Sequence, residues 1–167
     1  MDSSCDPTSN DPHKTGELGE ELVVRWLKQQ GWQILHRRWR SRWGEIDIIA
    51  KFPATPPTAK TSQLIFVEVK TRRRGNWDAN GLLSITSQKR KKLWRTAEQF
   101  LAVYPQFSNV PCRFDVALVK CDRLKTPPTQ TISSWVDVSE ILLKKPLYLA
   151  NARLTLHQYL TDVFDAD

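Results

Sequence analysis

The chain has 167 residues, 40% hydrophobic and 26% charged, which suits one domain with its own core. No apolar run approaches the length of a membrane span. Three cysteines, Cys5, Cys112 and Cys121, form neither a CxxC pair nor a zinc-finger spacing with histidine, so a disulfide framework and a zinc site are both excluded as readings. The start, MDSSCDPTSNDP, is polar and slightly acidic, unlike a secretory signal, and the expected location is the cytoplasm with reduced thiols.

The net charge of +7 is concentrated. Residues 70–95 hold nine Lys or Arg against one acid, Asp78, and Arg37, Arg38, Arg40 and Arg42 lie just upstream. Clustered positive charge attracts polyanions such as nucleic acid.

In chain order, residues 1–13 read as a disordered tail. A helix follows from Thr15, with Thr15 as cap, Glu17, Glu20 and Glu21 in its first turns, a stripe of Leu18, Leu22, Val23, Trp26 and Leu27, and Gly31 as its stop. Strands are predicted at 32–37, 44–51 (GEIDIIAK) and 64–70 (LIFVEVK), with a Pro- and Thr-rich loop at 52–62. Residues 71–84 read as irregular and basic. Thr86 to Tyr104 reads as a long helix with Leu93, Trp94, Ala97, Phe100, Leu101 and Tyr104 on its buried face. A fourth strand is predicted at 112–120, an edge strand at 132–138 and a C-terminal helix at 151–164. The order is therefore an α-β-β-β-α-β domain over 14–123, followed by an extension over 124–167 packed on it. Short connections make the first three strands antiparallel, and the long helix makes the fourth a parallel crossover.

Side chains alternate along a strand, so Glu45, Asp47 and Ile49 should share one face and Ile46 and Ile48 the other. In the third strand Phe66, Glu68 and Lys70 share a face opposite Val67 and Val69. Acids inside central strands break strand propensity and are costly to bury, which marks them as functional candidates. Two carboxylates suit Mg²⁺ or Mn²⁺, and an ammonium such as that of Lys70 suits charge building on a phosphoryl group. The bland alternative is a buried acid–lysine ion pair. Arg113 and Asp115 share a face of the fourth strand and read as a structural ion pair.

Asp47, then twenty residues, then Glu68-x-Lys70, each part in its own strand, resembles the PD-(D/E)xK nuclease site of restriction-endonuclease-like folds. Over residues 14–121, the blocks GELGEELVVRWLKQQGW, GEIDIIA, FVEVKTR, SQKRKKL and RFDVALV resemble the YraN-type family of uncharacterised bacterial proteins, which is similar to archaeal Holliday-junction resolvases. The resemblance implies a restriction-endonuclease-like core: a central mixed sheet flanked by helices. It implies Asp47 and Glu68 as metal ligands, with the Val69 carbonyl and Glu20 as further ligands, Lys70 as the catalytic lysine, and Mg²⁺ or Mn²⁺ as cofactor. Glu17, Glu45 and Gln88 would support that set. Arg40, Arg42, Arg72, Arg73, Arg74 and Lys89 would hold nucleic acid, most naturally DNA, by its backbone, with Trp43 and Trp77 available to stack on unpaired bases. A homodimer is also implied. The expected activity is metal-dependent endonucleolytic cleavage of DNA, branched or single-stranded, and the alternative is a non-catalytic nucleic-acid-binding module on the same scaffold. The sequence departs from the family in its long 52–62 loop, in Arg38 where an Asn is expected, and in its C-terminal extension.

Overall fold

The computed structural model describes residues 12–53, 62–73, 86–126, 128–129 and 131–164. The tail to residue 11, most of the 52–62 loop, and Arg74 and Trp77 lie outside these. Helix α1 (Pro12–Gln29) leads into strands β1 (Gln33–Ser41), β2 (Gly44–Phe52) and β3 (Gln63–Arg72). Helix α2 (Ser87–Val103), strand β4 (Cys112–Arg123) and strands β5 (Leu147–Leu149) and β6 (Ala152–Leu160) complete the order. The six strands make one mixed sheet in the order β1-β2-β3-β4-β6-β5. As the connection lengths require, β1–β2 and β2–β3 are antiparallel and β3–β4 is parallel.

The helices cover opposite faces. Leu22, Val23 and Leu27 of α1 pack with Ile48, Ile65, Val67, Ala117 and Val119. Leu93, Ala97 and Phe100 of α2 pack with Ile49, Leu64, Phe66, Phe114 and Val116. The strict alternation in β3 (Ile65 and Val67 one way, Leu64 and Phe66 the other) is why that strand reads as apolar throughout. None of the helices among the described residues is long and apolar enough to cross a membrane.

Helix α2 forms where expected. Thr86 is its cap, accepting from the Lys89 amide at 3.2 Å. Helix α1 ends at the expected glycine: Gly31 has φ +89°, and the Trp32 and Gly31 amides donate to the Leu27 and Lys28 carbonyls. Its start differs. The helix begins at Pro12, so Thr15 lies inside it and Glu17, Glu20 and Glu21 are past the first turn, where the helix dipole no longer accounts for them.

Two further expectations are corrected at the C-terminus. The segment expected as a helix over 151–164 is strand β6, antiparallel to β4. Ala152, Leu154 and Leu156 are buried at every second position, which is the period of a strand with one face on a core. The edge strand expected at 132–138 is replaced by a single parallel bridge, Ile132 to Leu149, and a 3₁₀ turn at Trp135–Asp137; β5 takes the edge.

Candidate functional site

The alternation expected in β2 fails at Asp47. Ile46 and Ile49 pack together on the α2 side, while Ile48 packs on the α1 side. The β2–β3 ladder stops at Ile48–Val67. Beyond it, the Val69 amide donates to Oδ2 of Asp47 at 2.7 Å, a side chain satisfying a backbone group that the ladder leaves. Across the sheet, the pairs Arg37–Ile48 and Trp39–Ile46 bracket Asp47, and Arg38 between them has φ +49°. A left-handed arginine costs on the order of 1–3 kcal/mol, a strain typical of functional sites.

Where β2 and β3 part, a cleft of about 730 Å³ opens. Asp47, Glu68 and Glu45 come to it from the sheet, Glu20 and Gly16 from α1, and Gln88, Lys89, Lys92 and Thr96 from α2. Glu68 is buried. Its Oε1 accepts from Lys70 Nζ at 2.8 Å and also from Lys89 Nζ. Glu20 is held through both oxygens by Arg38, at 2.8 and 3.3 Å, and Arg38 also reaches Glu17 at 3.1 Å. Glu45 pairs with Arg40 at 2.7 Å.

The electrostatics are those of crowded acids. Burial, then the charges of Glu68 and Glu20, push the Asp47 carboxyl up to about 7, against the Val69 amide and Lys89, which pull it down. Burial lowers the Lys70 ammonium despite Glu68 beside it. Burial is the largest influence on Lys89 too and lowers it, but the bond to Glu68, the charges of Glu68 and Asp47 and the contact with Lys70 together outweigh it and raise the ammonium.

Asp47, Glu68, Glu20, Glu45, Gln88, Lys89 and Arg40 thus meet in the cleft. Val69 and Lys70 line an adjoining cavity of about 480 Å³, with Glu20, Arg72 and Arg73. Glu17 is not in the cleft but behind it, bonded to Arg38. The Arg42 guanidinium lies 4.7 Å from the Trp43 ring, as does that of Arg95, so this indole is already neighboured by cations. Arg113 and Asp115 form the expected structural pair: Asp115, 1% exposed, accepts from Arg113, from the Tyr159 hydroxyl at 2.8 Å and from the Asp162 amide at 3.0 Å.

Sequence reasoning missed Arg38, Lys92 and Thr96 as site residues. Lys92 and Thr96 follow Lys89 at helical spacing, a signal present in the sequence. Arg38 showed only as part of the basic cluster and as a departure from the family pattern, because its role depends on a break in strand regularity. Gly19 was also missed. A Cβ there would sit 2.0 Å from Oγ1 of Thr71, so only glycine lets α1 approach β3 closely enough to place Glu20.

The donors suit a hard divalent cation in type, all being carboxylate oxygens. Both lysines bond the same oxygen of Glu68 and the amide bonds one oxygen of Asp47, so each carboxylate keeps a second oxygen. Among the described residues, no three His, Cys, Asp or Glu side chains are already gathered as a metal cage.

Fold and site together define a basic, mixed α/β protein with a buried acid–lysine cluster where two central strands part. The chain belongs to the uncharacterised protein family UPF0102, the YraN-type family, whose model matches residues 19–119. It is 46% identical to a UPF0102 protein of Acaryochloris marina over 154 residues, 90% of each chain. It is 46% identical to one of Trichodesmium erythraeum, covering 90% of this chain and 88% of the relative. With one of Synechocystis the identity is 44%, over 89% and 96%.

Proposed function

We propose that the protein is a metal-dependent endonuclease with a restriction-endonuclease-like core, cutting phosphodiester bonds of DNA. The observation that carries this reading is the convergence of Asp47, Glu68 and Lys70 from two adjacent central strands, joined by Glu20 from one helix and Lys89 from the other. Asp47 and Glu68 would hold Mg²⁺ or Mn²⁺ through their second oxygens, with Glu20 and the Val69 carbonyl as further donors. A cation so held would supply Lewis acidity and a more acidic water. The raised Asp47 carboxyl supports this reading, since crowded acids are relieved by a cation. Lys70, its ammonium lowered by burial, is suited to holding and releasing a proton beside the phosphoryl group. Lys89, Lys92 and Arg40 line the same cleft and would bind backbone phosphates.

One observation favours a second reading, a nucleic-acid-binding module without turnover. Glu68 and Glu20 are each already engaged by the protein's own cations, Lys70 and Lys89 on one and Arg38 on the other. Incubation of duplex, single-stranded and four-way-junction DNA with Mg²⁺ or Mn²⁺ separates the two. Cleavage that stops on chelation supports the nuclease. Salt-sensitive binding to all three with no product supports the binding module.

A further inference from the structure

We propose that a second cavity, on the far side of Arg38 from the acidic cleft, binds an unpaired nucleotide flanking the strand held in that cleft. This rests on the reading that nucleic acid is the ligand, and it narrows the substrate to one with single-stranded character beside the bound duplex.

The cavity holds about 670 Å³, within the range of ligand sites. Leu18, Cys121 and Leu149 give it an apolar floor, and Trp135 forms part of its wall. The indole of Trp135 is fixed in place by Arg25, whose guanidinium lies 5.2 Å from the ring centroid and donates to the Trp135 carbonyl at 2.8 Å. Arg25 takes one face of this ring and the core packs against it, so the part of the indole that lines the cavity is where a base would stack. Ser133, Ser134 and Asn151 supply hydrogen-bonding groups for its edge.

Charge complementarity identifies the occupant. Lys14, Arg37, Arg38, Arg73 and Arg123 line this cavity against two carboxylates, Glu21, paired with Arg37 at 2.8 Å, and Glu17, paired with Arg38 at 3.1 Å, so the lining keeps a net positive charge. These cations come from α1, β1, β4 and the residue that follows β3, and so suit successive phosphates more than one phosphate group. They are also continuous with the acidic cleft. Arg38 lines both cavities and grips Glu17 with one nitrogen while holding Glu20 with the others. Arg73 lines both this cavity and the one containing Lys70. A strand leaving the cleft therefore meets cations all the way into the second cavity. A paired base keeps its face covered by its neighbours in the duplex, so only an unpaired one can enter and stack.

The test is fluorescence anisotropy in EDTA, where binding is read without cleavage, using a blunt duplex, the same duplex with a single-stranded overhang, and a mononucleotide. Two uncharged variants probe the cavity: Trp135→Leu removes the ring, and Ser133→Leu puts a ringless side chain at the exposed mouth. Stacking of one base should make the overhang bind roughly tenfold tighter than the blunt duplex, and both variants should erase that preference with blunt-duplex affinity within about twofold of wild type. No overhang preference in the wild type, or equal loss on both duplexes in the variants, would overturn the proposal. A mononucleotide binding as tightly as the overhang duplex would overturn the assignment to a strand. An overhang preference that persists in a protein cutting no DNA would retain this site and remove the nuclease reading.

Discussion

The Val69 amide donates to Oδ2 of Asp47 at 2.7 Å, and this one bond joins the point where β2 stops pairing to the strand it has just left. It holds an acid in place in the cleft, and it does so with a backbone group that folding must satisfy in any case. The carboxylate is then crowded by Glu68 and Glu20 in a desolvated place.

That crowding gives a stability profile. The Asp47 carboxyl is raised from 3.8 to about 7, so the folded state binds a proton there that the unfolded state has already lost. The contribution is fully present below about pH 4, is lost as pH rises toward 7, and is flat above. In urea titrations with EDTA, the wild type should lose stability between pH 4 and 7 relative to Asp47→Asn, and the variant should be the more stable of the two at pH 8. Parallel pH profiles for the two proteins would show that Asp47 is not strained.

Glu68 should behave in the opposite way. It is the anion between two ammoniums, so Glu68→Gln leaves Lys70 and Lys89 facing each other without a counter-charge. Removing one partner of a fully buried pair costs ~3–5 kcal/mol, and the partial exposure of Lys89 reduces this to about 2 kcal/mol. A chemical-denaturation midpoint equal to wild type would contradict the arrangement.

Gly19→Ala should destabilise by roughly 1–3 kcal/mol, the usual cost of overpacking, because the new methyl meets the Thr71 side chain. Removing Oγ1 with Thr71→Ala should recover part of the loss, so the double variant should be less than additive. Strict additivity in unfolding experiments would mean that α1 and β3 do not touch there.

Asp115 lies away from the cleft and should matter for folding alone. Asp115→Ala strands Arg113 and the Tyr159 hydroxyl, at a cost on the order of 3–5 kcal/mol. DNA affinity measured on the fraction that remains folded should equal that of the wild type.

The sequence carried most of this architecture. The capping residue Thr86, the stop at Gly31 and the two helical stripes are local signals, and the structure keeps them. The joint placement of Asp47, Glu68 and Lys70 was legible because acids in apolar strands contradict their surroundings. Strand β6 was not legible as a strand. Leu156, Tyr159 and Leu160 fit a helical stripe, Leu154 and Leu156 an alternating one, and only the open edge of β4 decides between them. The break at Asp47 was hidden for a related reason. Period-two reasoning assumes an unbroken ladder, and nothing local in GEIDIIA announces that Ile46 and Ile49 will share a face. Arg38 depends on that same break, and Gly19 depends on Thr71, a contact 52 positions away in the chain.

The most direct test of the central claim is cleavage of labelled DNA by the wild type, Asp47→Ala and Lys70→Ala, with binding measured alongside in EDTA. The account predicts cutting that needs Mg²⁺ or Mn²⁺, a loss of about 10²-fold or more in both variants, and DNA affinity within a few fold of wild type. Cutting by both variants at the wild-type rate, or tight binding by all three proteins with no cutting under either metal, would contradict it.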